Sequence, residues 1–136
     1  MVDPARLRSL PLFGDLDEYD VAKVARWVDE VRAAPGDRLI EQGSMPYELF
    51  VIERGEVEVY RDGELLATVG KGDVVGEIAL LMQHRRMASV LARTEVLALA
   101  LPVDGLRSLT SEMPELADEL LTTMSRRRAE NEARDD

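Results

Sequence analysis

Between Tyr47 and Asp73 the chain reads YELFVIERGEVEVYRDGELLATVGKGD, and this stretch restricts the fold more than any other. Short β-rich runs are cut by Gly55, Gly63, Gly70 and Gly72. In GEVEVY the apolar Val57 and Val59 alternate with Glu56 and Glu58. A period of two is the signature of a half-buried strand, whose side chains point to opposite faces in turn. Asp62-Gly63 is a strong hairpin signal, because a two-residue turn of the right twist needs φ > 0. Further on, MASVLAR and EVLALALP read as two more strands. Turn signals spaced about 8–12 residues apart favour an antiparallel sandwich or barrel.

Helices flank this region. In GDLDEYDVAKVARWVDEV, Val21, Val24, Ala25, Val28 and Val31 follow the spacing of one helix face. Asp15 and Glu18 have capping-box spacing. The Pro35-Gly36 pair in APGD is expected to end that helix. After the strands, PVDGLRSL reads as a short helix weakened by Gly105. A longer helix starts at Pro114, a residue suited to a first turn, with Leu116, Leu120 and Met124 along one side. The polar tail RRRAENEARDD is expected to fray. The chain is thus expected to be one α+β domain over 1–136. Its segments are a helical part at 5–33, an antiparallel, jelly-roll-like β-roll (a double-stranded β-helix) at 36–101, C-terminal helices at 102–130 and a frayed tail at 131–136.

Composition narrows the function. The 136 residues are 46% hydrophobic and 32% charged, ordinary for a soluble globular domain. The longest apolar run, Val96 to Pro102, is too short to span a bilayer, and no basic-then-apolar leader opens the chain. Met1 is consistent with a natural N-terminus. Without cysteine, disulfides, thiolate catalysis and cysteine zinc sites are excluded, which fits a cytoplasmic location. The single histidine, His84, cannot build a multi-histidine metal site. Acids outnumber bases 27 to 17, a formal net charge of -10, which disfavours nucleic acid as a partner. Arg and Ala richness points to a GC-rich bacterial source.

Against that acidic background, the segment GEIALLMQHRRMASV places Arg85 and Arg86 side by side after an apolar run. Gly76 allows close approach of the backbone to a ligand, or φ > 0. EIALL then reads as a short helix with free N–H groups at its start. Arg86 offers a planar, permanently charged fork matched to phosphate oxygens. A carboxylate at Glu77 makes sense beside a phosphate if it accepts a hydrogen bond from a ribose hydroxyl.

At this point the chain resembles the cyclic nucleotide-binding domain of catabolite activators, kinase regulatory subunits and cyclic-nucleotide-gated channels, over roughly residues 7–128. The resemblance is carried in order by LPLFGDL, opening a helix, PGDRLIEQGS, giving the first strand and turn, ELFVIERGEVEVY and GKGDVVGEIALL…HRRMASV. The last resembles that family's phosphate-binding cassette. The resemblance implies that Glu77 holds the ribose and that Arg86 holds the phosphate, with Gly76, Ala88 and Ser89 beside it. Val75, Ile78, Ala79, Leu80, Arg85 and Met87 are expected to line the pocket or back it. Base contacts are expected from the C-terminal helix, with Thr122, Thr123 and Arg126 as candidates for a lid. Val75 stands where the family usually has Phe, a change that mainly affects packing. Met87 stands where the family often has a small or hydroxylated residue. A hydroxyl there goes with cGMP, so its absence favours cAMP over cGMP as the ligand. No catalysis, metal or further cofactor is implied.

Plainer readings exist for each residue. Glu77 alone would be a helix N-terminal acid favoured by the macrodipole. Arg85 reads better as a solvated or structural side chain, His84 as a loop-tip residue, Ser89 as a strand residue with a satisfied hydroxyl, and Arg126-Arg127-Arg128 as dipole partners at a helix end. Three functions compete. The first is a non-catalytic cyclic nucleotide sensor that signals through its C-terminal helix. The second is a degenerate, nucleotide-free interaction module. The third is a metal-dependent β-helix enzyme, which one histidine argues against. A catabolite activator would append a DNA-reading unit, and none follows before Asp136. A homodimer through the last helix, or an output partner outside this chain, is compatible with the sequence.

Overall fold

A computed structural model describes the backbone of residues 1–135 and the side chains of residues 1–122, 125 and 126. Two four-stranded antiparallel sheets face each other. The first holds β1 (Asp29–Ala33), β8 (Val96–Pro102), β3 (Glu48–Arg54) and β6 (Val74–Val75), in the order β1-β8-β3-β6. The second holds β2 (Arg38–Ile40), β7 (Ser89–Ala92), β4 (Val57–Arg61) and β5 (Glu64–Val69), in the order β2-β7-β4-β5. The strand and hairpin expectations hold. β4 and β5 pair through Arg61 and Glu64 across the Asp62-Gly63 turn, where φ is 52° and 80°.

Helices cover one side of this roll. The N-terminal part is α1 (Pro4–Arg8), a single 3-10 turn (Pro11–Phe13) and α2 (Glu18–Trp27). A short α3 (Glu77–Met82) interrupts the strands between β6 and β7, and α4 (Val103–Glu112) and α5 (Pro114–Asp135) follow. The expected helical segment 5–33 needs correction. Helix α2 stops at Trp27, Val28 is extended (φ -86°, ψ 143°), and residues 29–33 form β1. The reason is tertiary: β1 pairs with β8 in continuous register, from Asp29↔Ala100 to Ala33↔Val96. Pro35-Gly36 therefore turns β1 into β2 rather than ending a helix, and PGDRLIEQGS holds the second strand. The cap also differs, because the side chain of Asp17, not Asp15, accepts from the Asp20 N–H at 2.8 Å. The tail 131–136, expected to fray, lies outside the described side chains, and Asp136 outside the description altogether.

Two apolar clusters result. One joins Leu7, Leu10, Phe13, Val21 and Val24 to Leu106, Leu109, Met113, Leu116 and Leu120 beneath the helices. The other fills the roll with Ile40, Phe50, Ile52, Val57, Val75, Val90, Ala98 and Ala100. An ion-pair cluster ties α1 to the first sheet. Arg6 donates to both carboxylate oxygens of Glu53, at 2.9 and 2.6 Å, and to Glu30 at 2.9 Å. The Glu30 carboxylate lies below its ordinary range, first because Arg6 donates to it. Among the described residues no helix is long and apolar enough to cross a membrane.

Candidate functional site

The site forms where β6 gives way to α3. Gly76 sits at φ 84°, ψ 2°, a left-handed conformation that glycine adopts without strain. A Cβ there would lie 2.5 Å from Arg86 Nη1 and 2.8 Å from Ile40 Cδ1, so the position needs glycine for space as well. This turn sends Glu77 inward at the start of α3, where it is fully buried.

Arg86 comes from the loop after α3 and is only 6% exposed, although it carries a charge. Its Nη1 donates to the Gly76 carbonyl at 2.6 Å and its Nη2 to the Glu48 carbonyl. A guanidinium has five N–H donors, so three stay available to an anion. Burial lowers the Arg86 pKa from its ordinary value, and the charges of Glu48 and Glu77 oppose that shift. The Glu48 carboxyl is raised by burial, partly offset by Arg86. The loop is held by backbone pairs, Gly43 N–H to the Arg86 carbonyl at 2.8 Å and Arg86 N–H to the Ser44 carbonyl at 2.9 Å.

Around these groups opens a pocket. From the motif it gathers Val75, Gly76, Glu77, Ile78, Ala79, Arg86, Met87 and Ala88. From elsewhere it gathers Ile40, Val90 and the hairpin residues Val59, Arg61, Leu66, Ala67 and Val69. The motif alone does not announce this second wall. The signal that finds it is the alternation in β4, where Val57, Val59 and then Arg61 fall on one face.

Other expected site residues lie elsewhere. Leu80 is buried in the helix-side cluster, so it backs the pocket without lining it. Arg85 is exposed and donates to the Gly43 carbonyl at 3.0 Å, a loop-bracing role. The Ser89 hydroxyl accepts from the Gln42 N–H at 2.9 Å and faces a groove on the outer side of the sheet rather than the pocket. His84 is half-buried, not at an exposed tip, with Nδ1 2.9 Å from the Arg85 carbonyl. Thr122 is exposed and donates to the Asp118 carbonyl at 2.9 Å, and Arg126 is exposed; neither lines the pocket. Thr123 has its side chain outside the described residues. Among the described residues no group of three or more His, Asp or Glu gathers as a metal site.

A buried cation, a buried carboxylate and an apolar wall facing them can hold a small ligand that is anionic at one end, hydroxylated in the middle and flat and apolar at the other. A family model described as the cyclic nucleotide-binding domain matches residues 30–113. A cAMP-dependent protein kinase regulatory subunit of Emericella nidulans is 36% identical over 107 residues, covering 77% of this chain and 26% of that protein. The chain thus spans about a quarter of the length of such curated relatives. The catabolite activator protein of Thermus thermophilus superposes with a TM-score of 0.81 at 27% identity, over 91% of this chain and 61% of that one. The regulatory subunit of a cAMP-independent protein kinase A from Trypanosoma brucei does so at 0.81 and 28%, over 89% and 45%. These matches come from a fungus, a bacterium and a trypanosome, so they do not point to a bacterial source in particular.

Proposed function

We propose a function from one premise: the chain belongs to the cyclic nucleotide-binding domain family, and its pocket takes a cyclic purine nucleotide, cAMP before cGMP. The observation that carries this reading is the pairing of buried Arg86 with buried Glu77 on one wall of a pocket whose other wall is largely apolar. The free N–H groups of Arg86 bind the cyclic phosphate, and the backbone at Gly76 and Ala88 closes around it. Glu77 accepts from the ribose 2′-hydroxyl. The base lies against Val59, Leu66, Ala67 and Val69. Met87, without a hydroxyl, supports adenine, and so does the cAMP named for the Emericella relative. We assign no chemical step to the site.

Signalling follows from α3, which touches both clusters. Its residues Glu77, Ile78 and Ala79 line the pocket, and its next residue, Leu80, packs among Leu116 and Leu120 of α5. A ligand that engages Glu77 and shifts α3 changes the seat of α5, and a difference in affinity between the two seats is what transmits the signal. The receiver is an output domain or partner in the cytoplasm, or a second copy paired through α5. Thr122, Thr123 and Arg126 are the proposed lid over the base in the ligand-bound seat.

A second reading has one observation in its favour: a relative with this fold belongs to a cAMP-independent kinase. In that case the domain is an assembly module that ignores cyclic nucleotides. Calorimetric titration separates the two, using protein unfolded and refolded to strip carried ligand. Sensor function predicts micromolar or tighter binding of cAMP, weakened in Arg86→Ala by about 2–5 kcal/mol, as for truncating one partner of a buried charge pair. Folded, stripped protein that takes up neither cAMP nor cGMP supports the module instead.

A further inference from the structure

Strand β3 sorts its side chains between the two apolar clusters. Leu49 and Val51 join the helix-side cluster, and Phe50 and Ile52 join the cluster inside the roll. Two-residue alternation puts Glu48 on the same face as Phe50 and Ile52. Its half-buried carboxylate stands at the end of an apolar row. On β1 the same alternation, read back from Ala33 and Val31, puts Asp29 on the inner face as well. Strand register brings the two acids near each other. Asp29 faces Ala100 of β8, which faces Phe50 on its other side, and Glu48 faces Pro102 further along β8.

The guanidinium of Arg86 reaches this corner from the pocket. Its Nη1 donates to the Gly76 carbonyl at the pocket turn, and its Nη2 donates to the backbone carbonyl of Glu48. One cation therefore serves two places for an anion, the Glu48 carboxylate on one side and the pocket on the other. The elements around Glu48 bring few other charges. Strands β8 and β6 carry none, α3 brings buried Glu77, β1 brings exposed Asp29, and α4 starts after Pro102 with exposed Asp104. The loop after α3 adds His84, with Nδ1 by the Arg85 carbonyl, and exposed Arg85, which donates to the Gly43 carbonyl. Burial holds the Glu48 carboxyl above its ordinary 4.5, Arg86 opposes that rise and Asp29 adds to it.

We propose that Glu48 sets the resting affinity of the pocket: its carboxylate competes with an incoming phosphate for the charge of Arg86, and its protonation releases that charge to the ligand. The inference rests on the reading that Arg86 holds a cyclic phosphate. A bound phosphate monoanion cancels the field of the guanidinium at Glu48 and adds a second negative charge nearby. Both effects disfavour the charged carboxylate, so Glu48 titrates at higher pH with ligand bound than without. Binding then takes up a proton, and affinity rises as pH falls through the interval between the two titrations. Above that interval the carboxylate is charged in both states, and affinity stays at its low, resting level. The cyclic phosphate is a diester that keeps its single charge throughout, so it does not itself supply this dependence.

The test is calorimetric titration of stripped protein with cAMP between about pH 8 and about pH 5.5, in buffers of different ionisation enthalpy so that protons taken up are counted. Wild type is expected to take up protons on binding, and to bind about threefold or more tighter at the acid end. Glu48→Gln keeps the shape and removes the charge. It is expected to bind about threefold or more tighter than wild type at about pH 8, and to lose both the pH dependence and the proton uptake. His84→Gln is expected to keep both, which separates Glu48 from the one histidine of the chain. Wild type without proton uptake overturns the role of Glu48. So does Glu48→Gln that keeps the pH dependence or binds no tighter at about pH 8, and so does His84→Gln that loses the dependence. If any of these is found while Arg86→Ala still abolishes binding, the nucleotide reading stands and only this inference falls. Wild-type protein that binds cAMP nowhere in the range rejects both together.

Discussion

The two apolar clusters are built from different material. Beneath the helices, large side chains close on one another, and Leu7, Leu10, Phe13, Leu109, Met113, Leu116 and Leu120 are all at most 1% exposed. Inside the roll the buried positions include Ala33, Ala92, Ala98 and Ala100, and three members of the same cluster, Ile40, Val75 and Val90, also line the pocket. Tight packing in one place supplies stability, since cores are as dense as organic crystals. The other cluster has smaller side chains and borders an open pocket through Ile40, Val75 and Val90. The short helix α3 lies at the boundary, with Glu77 on one side and Leu80 on the other.

The largest expected effect separates the clusters with the two phenylalanines of the chain, one in each. Phe13→Ala is expected to cost about 3–5 kcal/mol of stability, as for other large core truncations, and to leave nucleotide affinity alone. Phe50 pairs across the sheet with Val75, next to Gly76, so Phe50→Ala is expected to lower affinity as well. Chemical denaturation with titration of each variant checks this. Equal loss of affinity in both variants would break the comparison.

A smaller effect is expected at the joint between α2 and α4. A Cβ on Gly105 would meet Trp27 at 2.9 Å, close to the ring attachment, where the side chain cannot swing aside freely. Gly105→Ala improves helix propensity by about 1 kcal/mol, but overpacking of this kind costs about 1–3 kcal/mol. A net loss is expected, with a change in emission from Trp27, the chain's single tryptophan. A stabilised variant with unchanged emission would show that α4 is not seated on α2.

The smallest effect concerns the ion pairs of Arg6. Arg6→Ala is expected to lower the melting temperature at neutral pH by an amount matching about 1–3 kcal/mol, the range for charge-assisted hydrogen bonds. The sign with pH follows from Glu30. A carboxylate held below its ordinary 4.5 stabilises the fold above that value and loses this contribution as pH falls through its folded value. The gap between wild type and variant should narrow below about pH 4.5. A gap that widens in acid would reject the pairing.

Much of the site was legible because its chemistry is contiguous: Val75 to Ala88 supplies one complete wall in a single run. The other wall comes from residues 40, 59, 61, 66, 67, 69 and 90, brought close only by sheet pairing, which local spacing does not encode. Arg61 was nonetheless within reach, since continuing the alternation of Val57 and Val59 by one step puts it inside. The strand β1 was hidden for a different reason. Val31 satisfies both a 3.6-residue and a two-residue period, and pairing with β8 decides between them. Ser89 was misplaced by one residue of alternation, because Ala88 lines the pocket while Ser89 turns to Gln42.

The central claim is that ligand binds at the mouth of the roll beside α3, and that of the helix-side core only the contact of Leu80 with α5 responds. Backbone amide chemical shifts of 15N-labelled, stripped protein titrated with cAMP test it most directly. The account predicts the largest shifts at Gly76, Glu77, Ala79, Arg86 and Ala88, with Leu7, Phe13 and Leu109 nearly still. Shifts confined to the outer groove around Arg38, Gln42 and Tyr60, or no shifts at saturating ligand, would contradict it.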